Sequence, residues 1–270
     1  MRVGRADAEL VLAELLELAP SGVEETELAG NVIEYAVYGA PGELPELPDL
    51  RAAAGDALVE VSTSEIADDW GERWRDFHRP LVLDGQLTVR PPWTPPAETP
   101  LDLVIDPGQA FGTGAHATTR LCLELMLALD DRRGPLLDLG CGSGVLAIAA
   151  VKLGWDPVEA LDNDPASVVA AGENAERNRV RLAVRRHDLR SDPVPVAETV
   201  TANLLGPLLR SVAGRLLDQV QRPRALIASG LLQAEADGIA AAFGEAGLHE
   251  RDRRTRGEWA ALLLTRDPHG

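Results

Sequence analysis

The stretch PLLDLGCGSGVLAIAAVKLG, residues 135–154, decides the fold of this 270-residue chain. A short apolar strand turns directly into a helix that runs from Gly144 to Leu153. At the turn, Gly140, Gly142 and Gly144 remove side chains where the backbone must bend tightly and approach a ligand closely. The start of the helix adds unpaired N–H groups and a positive dipole end. The stretch therefore predicts a nucleotide-like ligand at the carboxyl end of a parallel strand.

Beyond this stretch, short apolar strands alternate with helical segments to the end of the chain. The predicted strands are VEALD (158–162), Leu182–Asp188, TVTANLL (199–205) and ALIASGL (225–231), and the predicted helices are Pro165–Arg179, Pro207–Val220 and Ala234–Glu245. This alternation predicts a parallel sheet with helices on both faces. No helix separates the last two predicted strands, Leu248–Arg253 and Ala260–Thr265, so they should pair antiparallel at one edge. The fold class is therefore α/β and Rossmann-like.

The first part of the chain, residues 1–66, carries a different pattern. Four short β-like runs enclose two helical segments, Asp7–Ala19 and about Leu47–Gly55. The order β-α-β-β-α-β is typical of a ferredoxin-like module. The sequence thus predicts a small N-terminal α+β domain, followed later by the Rossmann-like domain over residues 101–270.

Residues 67–100 connect the two predicted domains. The connector contains an amphipathic stretch, DDWGERWRDFH, a hairpin-like segment (81–89) and a proline-rich segment, PPWTPPAETP, which cannot continue a helix or a central strand. Its three tryptophans, Trp70, Trp74 and Trp93, could form a substrate platform. Such aromatic residues more often fix one domain against another, and we favour that interpretation.

The composition restricts the class of partner and the compartment. With 43 acidic and 26 basic residues, the formal net charge is −17, which disfavours free nucleic acid as the main partner. The acidity could attract a basic substrate or simply favour solubility. No apolar run approaches the roughly 20 residues of a membrane span, and the N-terminus lacks the layout of a signal peptide. Cys122 and Cys141 lack metal-ligand spacing, so we expect no metal and a reducing, cytoplasmic location.

Two details indicate which nucleotide-like cofactor binds. A dinucleotide fingerprint places its third glycine where this chain has Val145, so the pattern G-x-G-x-G favours S-adenosylmethionine over NAD. Asp162 ends the next strand, at the usual distance for a carboxylate that grips ribose hydroxyls. NAD enzymes share this feature, so it supports nucleoside binding without choosing the cofactor. A role as helix cap is less favoured, because Asp164 and Pro165 already provide the cap. Asp188 ends the third predicted strand, where it lies beside the adenine amino group or is merely an acid in a surface turn.

A second glycine-rich segment, DPGQAFGTGAHATT (106–119), precedes the first helix of the Rossmann-like domain. Its three glycines predict a flexible loop that folds over a ligand, and Phe111 could cover an apolar part of the cofactor. Thr118 and Thr119 stand where the helix begins, so either could be its N-cap. The composition of the segment favours a cofactor lid over a plain connector.

Asn203, at the end of the fourth predicted strand, lies where the strand order would place a transferable methyl group. Methyl transfer to an amine requires a neutral nitrogen lone pair about 3 Å from the methyl carbon. The Asn203 side-chain oxygen and a nearby backbone carbonyl, such as that of Leu204, can accept the hydrogens of the amine and aim its lone pair. His116 could help to deprotonate the amine, because histidine titrates near neutral pH, or it could be a structural loop residue.

Taken together, these motifs resemble those of the bacterial PrmA family, which methylates ribosomal protein L11 of the large subunit. The resemblance covers nearly the whole chain, and its most specific element is DPGQAFGTGAHATT followed at fixed distance by DLGCGSGVLAIAAVKLG. It implies a class I methyltransferase sheet and an N-terminal domain that binds the ribosomal protein. It also implies that Thr119, Gly140, Asp162 and Asn203 contact S-adenosylmethionine, and that lysine side chains and an N-terminal α-amine are methylated.

Several other functions are compatible with parts of this pattern. A related methyltransferase could act on another protein or on a small amine, since fold and cofactor do not fix the acceptor. A nicotinamide-dependent oxidoreductase is disfavoured by Val145 and by the lack of a clear catalytic Lys/Tyr pair. A non-catalytic ribosome-binding module could retain a nucleoside pocket. Our prediction is a monomeric protein methyltransferase that binds neither a membrane nor a specific nucleic-acid sequence.

Overall fold

A computed structural model of the chain describes residues 1–5, 8, 11, 15, 24–28, 32–37, 47–62, 79–106, 116–129, 133–217 and 221–266. The chain divides into two compact units, Met1–Trp70 and Gly71–Gly270. The amphipathic stretch with Trp70 and Trp74, and the predicted cofactor residue Phe111, lie outside the described residues. None of the helices in the described ranges is both long enough and apolar enough to cross a membrane.

The first unit contains a four-stranded antiparallel sheet. Its elements are β1 (Arg2–Gly4), β2 (Glu24–Leu28), β3 (Val32–Ala36), helix α1 (Leu47–Ala54), a 3₁₀ turn (Gly55–Ala57) and β4 (Leu58–Glu60), with the strand order β2-β3-β1-β4. Ala8, Val11 and Leu15 are helical and buried, and their spacing places them on one helix face. That face shares a core with Ile33 and Tyr35 of β3. The element order is the ferredoxin-like order that the sequence predicts.

The second unit begins with a small three-stranded sheet. It consists of β5 (Leu81–Leu83), β6 (Leu87–Arg90) and β7 (Leu101–Val104). The predicted hairpin is confirmed, because β5 and β6 pair antiparallel, and β7 then runs parallel to β6. The Arg90 guanidinium donates two hydrogen bonds of 2.8 Å to the carboxylate of Asp102 and so ties β6 to β7. Residues 79–100, which the sequence assigns to a connector, therefore lie in the second unit and share a sheet with β7.

The remainder of the second unit is a seven-stranded sheet with the order β10-β9-β8-β11-β12-β14-β13. Its strands are β8 (Leu136–Leu139), β9 (Val158–Asp162), β10 (Ala183–Arg186), β11 (Thr199–Asn203), β12 (Ala225–Leu232), β13 (His249–Arg256) and β14 (Trp259–Thr265). The helices are α2 (Ala117–Ala128), α3 (Val145–Leu153), α4 (Pro165–Arg177), α5 (Gly206–Leu217) and α6 (Ala236–Glu245), the last preceded by a 3₁₀ turn (Gln233–Glu235).

The sheet is buried on both faces, which explains its continuous apolar strands. Successive residues of β12 alternate between two core clusters: Ile227 packs in the cluster that includes α2, α3 and α4, and Leu226 and Ala228 pack in the cluster that includes α5 and α6. Because side chains alternate along a strand, the two clusters are the two faces of one sheet. The helices cover both faces, as the β-α alternation predicts.

The position of the last strand, β14, distinguishes this sheet from that of the common dinucleotide-binding folds. β13 and β14 pair antiparallel, which confirms the predicted pairing, and β14 also pairs antiparallel with β12. β14 therefore lies between β12 and β13 and leaves β13 at the edge. In the common dinucleotide-binding order 3-2-1-4-5-6, the sixth strand follows the fifth directly.

Candidate active site at the carboxyl edge of the sheet

The strand order reverses at β8, and this reversal creates the candidate site. β8 pairs with β9 on one side and with β11 on the other. The chain passes from β8 to α3 on one face of the sheet and from β11 to α5 on the other face. Such a switch point leaves a crevice beyond the carboxyl ends of the strands, where ligands bind in open α/β sheets. Gly140, Asp162 and Asn203 all lie at the carboxyl ends of these strands.

The glycine turn follows β8 closely. The backbone N–H groups of Gly140 and Cys141 both donate to the Leu161 carbonyl, at 2.8 and 3.0 Å. Gly140 has a φ of +71°, and a Cβ added there would lie 2.4 Å from Cδ2 of Leu204. The backbone conformation strains any side chain at this position, and a Cβ would also require the Leu204 side chain to move. The same contact brings the segment after β11 against the turn after β8.

Asp162 connects the glycine turn to the next helix. Its Oδ2 accepts a hydrogen bond from Gly142 N at 2.9 Å, and its Oδ1 accepts one from Asp164 N at 3.0 Å. An ionised carboxylate offers about four acceptor positions, so Asp162 can also receive ribose hydroxyls. Asp164 caps α4 separately, because its Oδ1 accepts from Ala166 N at 3.0 Å. The predicted role of Asp164 as the cap of α4 is confirmed, and the binding of ribose by Asp162 stays a prediction.

Asp138 is a functional candidate that the sequence reasoning missed. It is buried in the middle of β8, and the Thr201 hydroxyl donates to its Oδ1 at 2.7 Å. Its Oδ2 has no hydrogen-bond partner in the described part of the chain. Burial, together with the nearby Asp162, raises the pKa of Asp138 to about 7. The available signal was a lone acid within the apolar strand PLLDLG, because an acidic residue is almost never fully buried without a partner.

The raised pKa of Asp138 predicts a pH-dependent stability that Asp138→Asn should remove. Between pH 3.8, the ordinary pKa of an aspartate, and the folded pKa of about 7, the folded state retains a proton that the unfolded state has lost. The free energy of unfolding of the wild type should therefore fall, relative to the variant, as pH rises through this window, by about 3 kcal/mol between pH 5 and pH 8. Urea unfolding of both proteins at pH 5 and pH 8 measures this difference. A constant difference between the two proteins would contradict the assignment.

Asn203 is held in place by a bulge in the neighbouring strand. Asn203 pairs with Ser229, and Leu204 N donates to the Ser229 carbonyl at 2.9 Å. Gly230 follows with a φ of +83°, and the pairing register of β12 shifts between Ser229 and Leu231. A Cβ at Gly230 would lie 2.5 Å from the Leu204 carbonyl oxygen. The sequence reasoning missed Gly230, although a glycine inside a strand often marks a bulge or a close backbone approach.

The start of α2 rules out the alternative role that the sequence left open for Thr118 and Thr119. Neither Thr118 nor Thr119 is the N-cap, since both lie inside the first turn and His116 occupies the cap position. Nδ1 of His116 lies 2.8 Å from the Thr118 hydroxyl, and the ring meets the Trp259 ring edge-on, with centroids 5.0 Å apart. The imidazole Nδ1 accepts the capping hydrogen bond from Thr118 N at 3.4 Å, in place of the more usual Ser, Thr, Asp or Asn side chain. Burial lowers the pKa of His116, and the Thr119 hydroxyl is buried with no partner among the described residues.

Asp188 lies beyond β10, which ends two residues earlier than predicted. Its Oδ1 accepts from Arg190 N at 2.9 Å, and its own N–H donates to Asp192 Oδ2 at 3.0 Å. These contacts stabilise a turn, as one of the two interpretations of the sequence expects. The Asp162 carbonyl accepts from His187 N at 2.8 Å and links this turn to the site. Contact of Asp188 with adenine stays a prediction.

The residues at this edge fit an adenosine cofactor. The glycine turn presents backbone without side chains, Asp162 presents acceptor oxygens beside it, and Thr119 at the start of α2 retains a buried hydroxyl without a partner within the described ranges. Over the same ranges there is no group of three or more His, Cys, Asp or Glu side chains that could hold a metal ion. Backbone N–H groups and a carboxylate at a switch point are the usual features of a nucleoside site.

This fold and site define a Rossmann-like methyltransferase that depends on S-adenosylmethionine. The sequence model of the family described as "Ribosomal protein L11 methyltransferase (PrmA)" matches residues 42–267. The chain belongs to this family.

Individual relatives agree with the family assignment. The ribosomal protein L11 methyltransferase of Heliobacterium modesticaldum is 37% identical, over 98% of this chain and 95% of the relative. That of Geobacter sulfurreducens is 38% identical, over 88% of this chain and 78% of the relative. A crystal structure of the ribosomal protein L11 methylase from Lactobacillus delbrueckii subsp. bulgaricus superposes with a TM-score of 0.63 and 28% identity. That superposition covers 70% of this chain and 99% of the other.

Proposed function

We propose that this protein transfers methyl groups from S-adenosylmethionine to ribosomal protein L11, on lysine side chains and on the N-terminal α-amine. The observation that carries the proposal is the contact of Leu204 with Gly140, which brings the Asn203 segment beside the glycine turn. A methyl donor held at the turn and an amine held at Asn203 would then be neighbours. The names of the relatives support L11 as the acceptor.

The proposed cofactor contacts follow from the geometry of the edge. The backbone at Gly140 and Gly142 approaches the cofactor, the Asp162 carboxylate accepts the ribose hydroxyls, and Thr119 contributes its buried hydroxyl. Phe111 and Asp188 are the further predicted contacts, Asp188 toward adenine. S-adenosylmethionine, when bound, supplies an electrophilic methyl group.

Asn203 prepares the acceptor amine. A neutral amine has two N–H hydrogens and one lone pair, so two acceptors that bind the hydrogens also aim the lone pair. We assign these acceptors to Oδ1 of Asn203 and the carbonyl of Leu204. Gly230 allows the Leu204 backbone to lie this close to β12, because the side chain of any larger residue would displace the Leu204 carbonyl. No strong base is needed for the transfer step itself.

His116 is the predicted proton acceptor for the amine. Burial lowers its pKa, which favours the neutral ring that a proton acceptor needs. Because Nδ1 accepts from Thr118 N at the start of α2, the alternative of a purely structural role is equally well supported. Its contacts with Thr118 and Trp259 fix the ring at the start of α2.

The N-terminal unit is the part that we assign to substrate recognition, with residues 1–66 as its predicted extent. The strongly acidic chain, with a net charge of −17, favours a basic protein as partner. The two free cysteines, Cys122 and Cys141, suit a reducing cytoplasm. A monomer is the predicted oligomeric state.

Purified protein incubated with recombinant L11 and S-adenosylmethionine tests the proposal. We expect intact-mass increments of whole methyl groups on L11, which fragment spectra assign to lysines and the N-terminus. A reaction without S-adenosylmethionine and one with a different basic ribosomal protein are the controls. Methylation of the other protein or of a small amine, with L11 unmodified, would replace the proposed acceptor by the alternative.

A further inference from the structure

One edge of β7 is completed by side chains instead of by a strand. β6 pairs with one edge of β7. On the other edge, Asn178 Oδ1 accepts from Val104 N at 2.9 Å while its Nδ2 donates to the Val104 carbonyl at 2.6 Å. Asp106 lies two residues after Val104, and its N–H donates to Asn174 Oδ1 at 2.9 Å. The Asn174 Nδ2 lies 3.4 Å from the Asp106 carbonyl. Each amide therefore replaces the peptide group of a missing neighbouring strand.

Asn174 lies in the last turn of α4, and Asn178, four residues further on, is the C-cap residue of that helix, so both lie on one face of it. Both are buried, with 1% of Asn174 and 9% of Asn178 exposed. A buried side-chain amide is costly unless its hydrogen-bonding groups are satisfied. The match to Val104 and Asp106 thus fixes where the chain leaves β7 for the glycine-rich segment 106–119.

Asn174 has one additional partner, and that partner lies in the glycine turn. Its Nδ2 donates to the Ser143 carbonyl at 3.0 Å. Ser143 immediately precedes Gly144, where α3 begins. Arg177 Nη1 donates to the Asn174 Oδ1 at 2.9 Å and helps to orient the amide. A single side chain therefore joins Asp106, the first residue of one glycine-rich segment, to Ser143 in the other.

We propose that Asn174 is a positioning residue for cofactor binding, which acts by holding the glycine turn and the Asp106 backbone in fixed relation to each other. The proposal rests on the cofactor site proposed above. Asn174 does not touch the cofactor; it fixes the peptide between Ser143 and Gly144, from which the N-terminus of α3 is presented. The donor Nδ2 is the essential group, because carbonyl oxygens are its partners on both sides.

Asn178 supplies a matched control within the same helix. It is the same residue type, is also buried, and bonds to the backbone of β7 in the same way. The two residues differ in one contact: Nδ2 of Asn178 donates to the Asn174 carbonyl, whereas Nδ2 of Asn174 donates to the Ser143 carbonyl. Removing either amide costs buried hydrogen bonds, whereas only the removal of Asn174 frees the glycine turn. A purely structural role predicts equal effects of the two substitutions on cofactor affinity.

The experiment compares Asn174→Ala, Asn174→Asp and Asn178→Ala in the full chain. The dissociation constant of S-adenosylhomocysteine is measured by calorimetry, and the unfolding midpoint is measured for each variant without ligand. We expect both Asn174 variants to raise the dissociation constant about tenfold or more, which corresponds to one lost hydrogen bond at a buried site. Asn178→Ala should change it less than twofold while lowering the midpoint to a similar degree. In turnover assays, the Asn174 variants should raise the KM for S-adenosylmethionine more than they lower kcat.

The Asp162→Ala variant, measured in parallel, separates the two proposals. Wild-type affinity in Asp162→Ala would contradict the proposed cofactor site itself. Weak binding by Asp162→Ala together with wild-type affinity in folded Asn174→Asp would overturn the role of Asn174 alone. An equal loss of affinity in Asn178→Ala would also overturn it, because the effect would then come from general loosening of α4. If Asn174→Ala does not fold, Asn174→Asp, which has the same shape, decides the question.

Discussion

Replacement of Asp162 by alanine should weaken the binding of S-adenosylhomocysteine by about tenfold to a hundredfold. The proposed hydrogen bonds from ribose hydroxyls to an ionised carboxylate are worth about 1.5–3 kcal/mol, and this range corresponds to that loss of affinity. The variant also leaves the N–H groups of Gly142 and Asp164 without their present acceptor. Both effects act on the cofactor site, and calorimetric titration of the purified variant measures their sum.

Asp164→Ala is the control for this prediction. Asp164 lies two residues further along and accepts hydrogen bonds from Ala166 and Ser167 at the start of α4. Its loss should cost about 0.5–2 kcal/mol of stability, as for other helix caps, and should leave cofactor affinity within about twofold. If both variants lost affinity to the same extent, Asp162 would act as part of the helix start and not as a ribose ligand.

The local signals in the sequence predicted the parts of the site that depend on short stretches of chain. The glycine turn, the carboxylate at the end of β9 and the asparagine at the end of β11 each follow from a strand and the residues directly after it. Because parallel strands present their carboxyl ends at one edge, Gly140, Asp162 and Asn203 could be brought together without knowledge of the full topology. The structure confirms their common position at the edge of the sheet.

The features that the sequence did not predict depend on contacts between distant segments. β14 lies between β12 and β13, although its sequence predicts only a pairing with its neighbour in the chain. β7 reads as the start of the Rossmann-like domain, yet it pairs with β6. Helix asparagines such as Asn174 look like ordinary polar positions until the edge of β7 provides partners for them. The cap at His116 departs from the usual preference for Ser, Thr, Asp or Asn, and its ring packs edge-on against Trp259, which is distant in the sequence.

Replacement of Asn203 by alanine should lower kcat about a hundredfold while changing the affinity for S-adenosylhomocysteine only a few-fold. The amine would lose one of the two acceptors that aim its lone pair, and misplacement of a reacting group by about 1 Å can cost a factor of that size. The fold should tolerate the change, since Asn203 is half-buried at the end of β11 and the backbone contact of Leu204 with Ser229 does not involve its side chain. Turnover on L11 at saturating cofactor measures the effect.

Asn203→Asp distinguishes orientation of the amine from a merely structural role of the side chain. Aspartate keeps an acceptor oxygen at nearly the same place, so this variant should retain clearly more activity than Asn203→Ala. Asn203→Leu completes the comparison, because leucine fills nearly the same space without an acceptor oxygen. It should be as inactive as Asn203→Ala if Asn203 orients the amine, and as active as Asn203→Asp if the side chain only fills space. Turnover of Asn203→Ala above half of the wild-type rate, with L11 and cofactor both saturating, would remove Asn203 from the reaction and leave the Leu204 carbonyl as the remaining candidate acceptor for the amine.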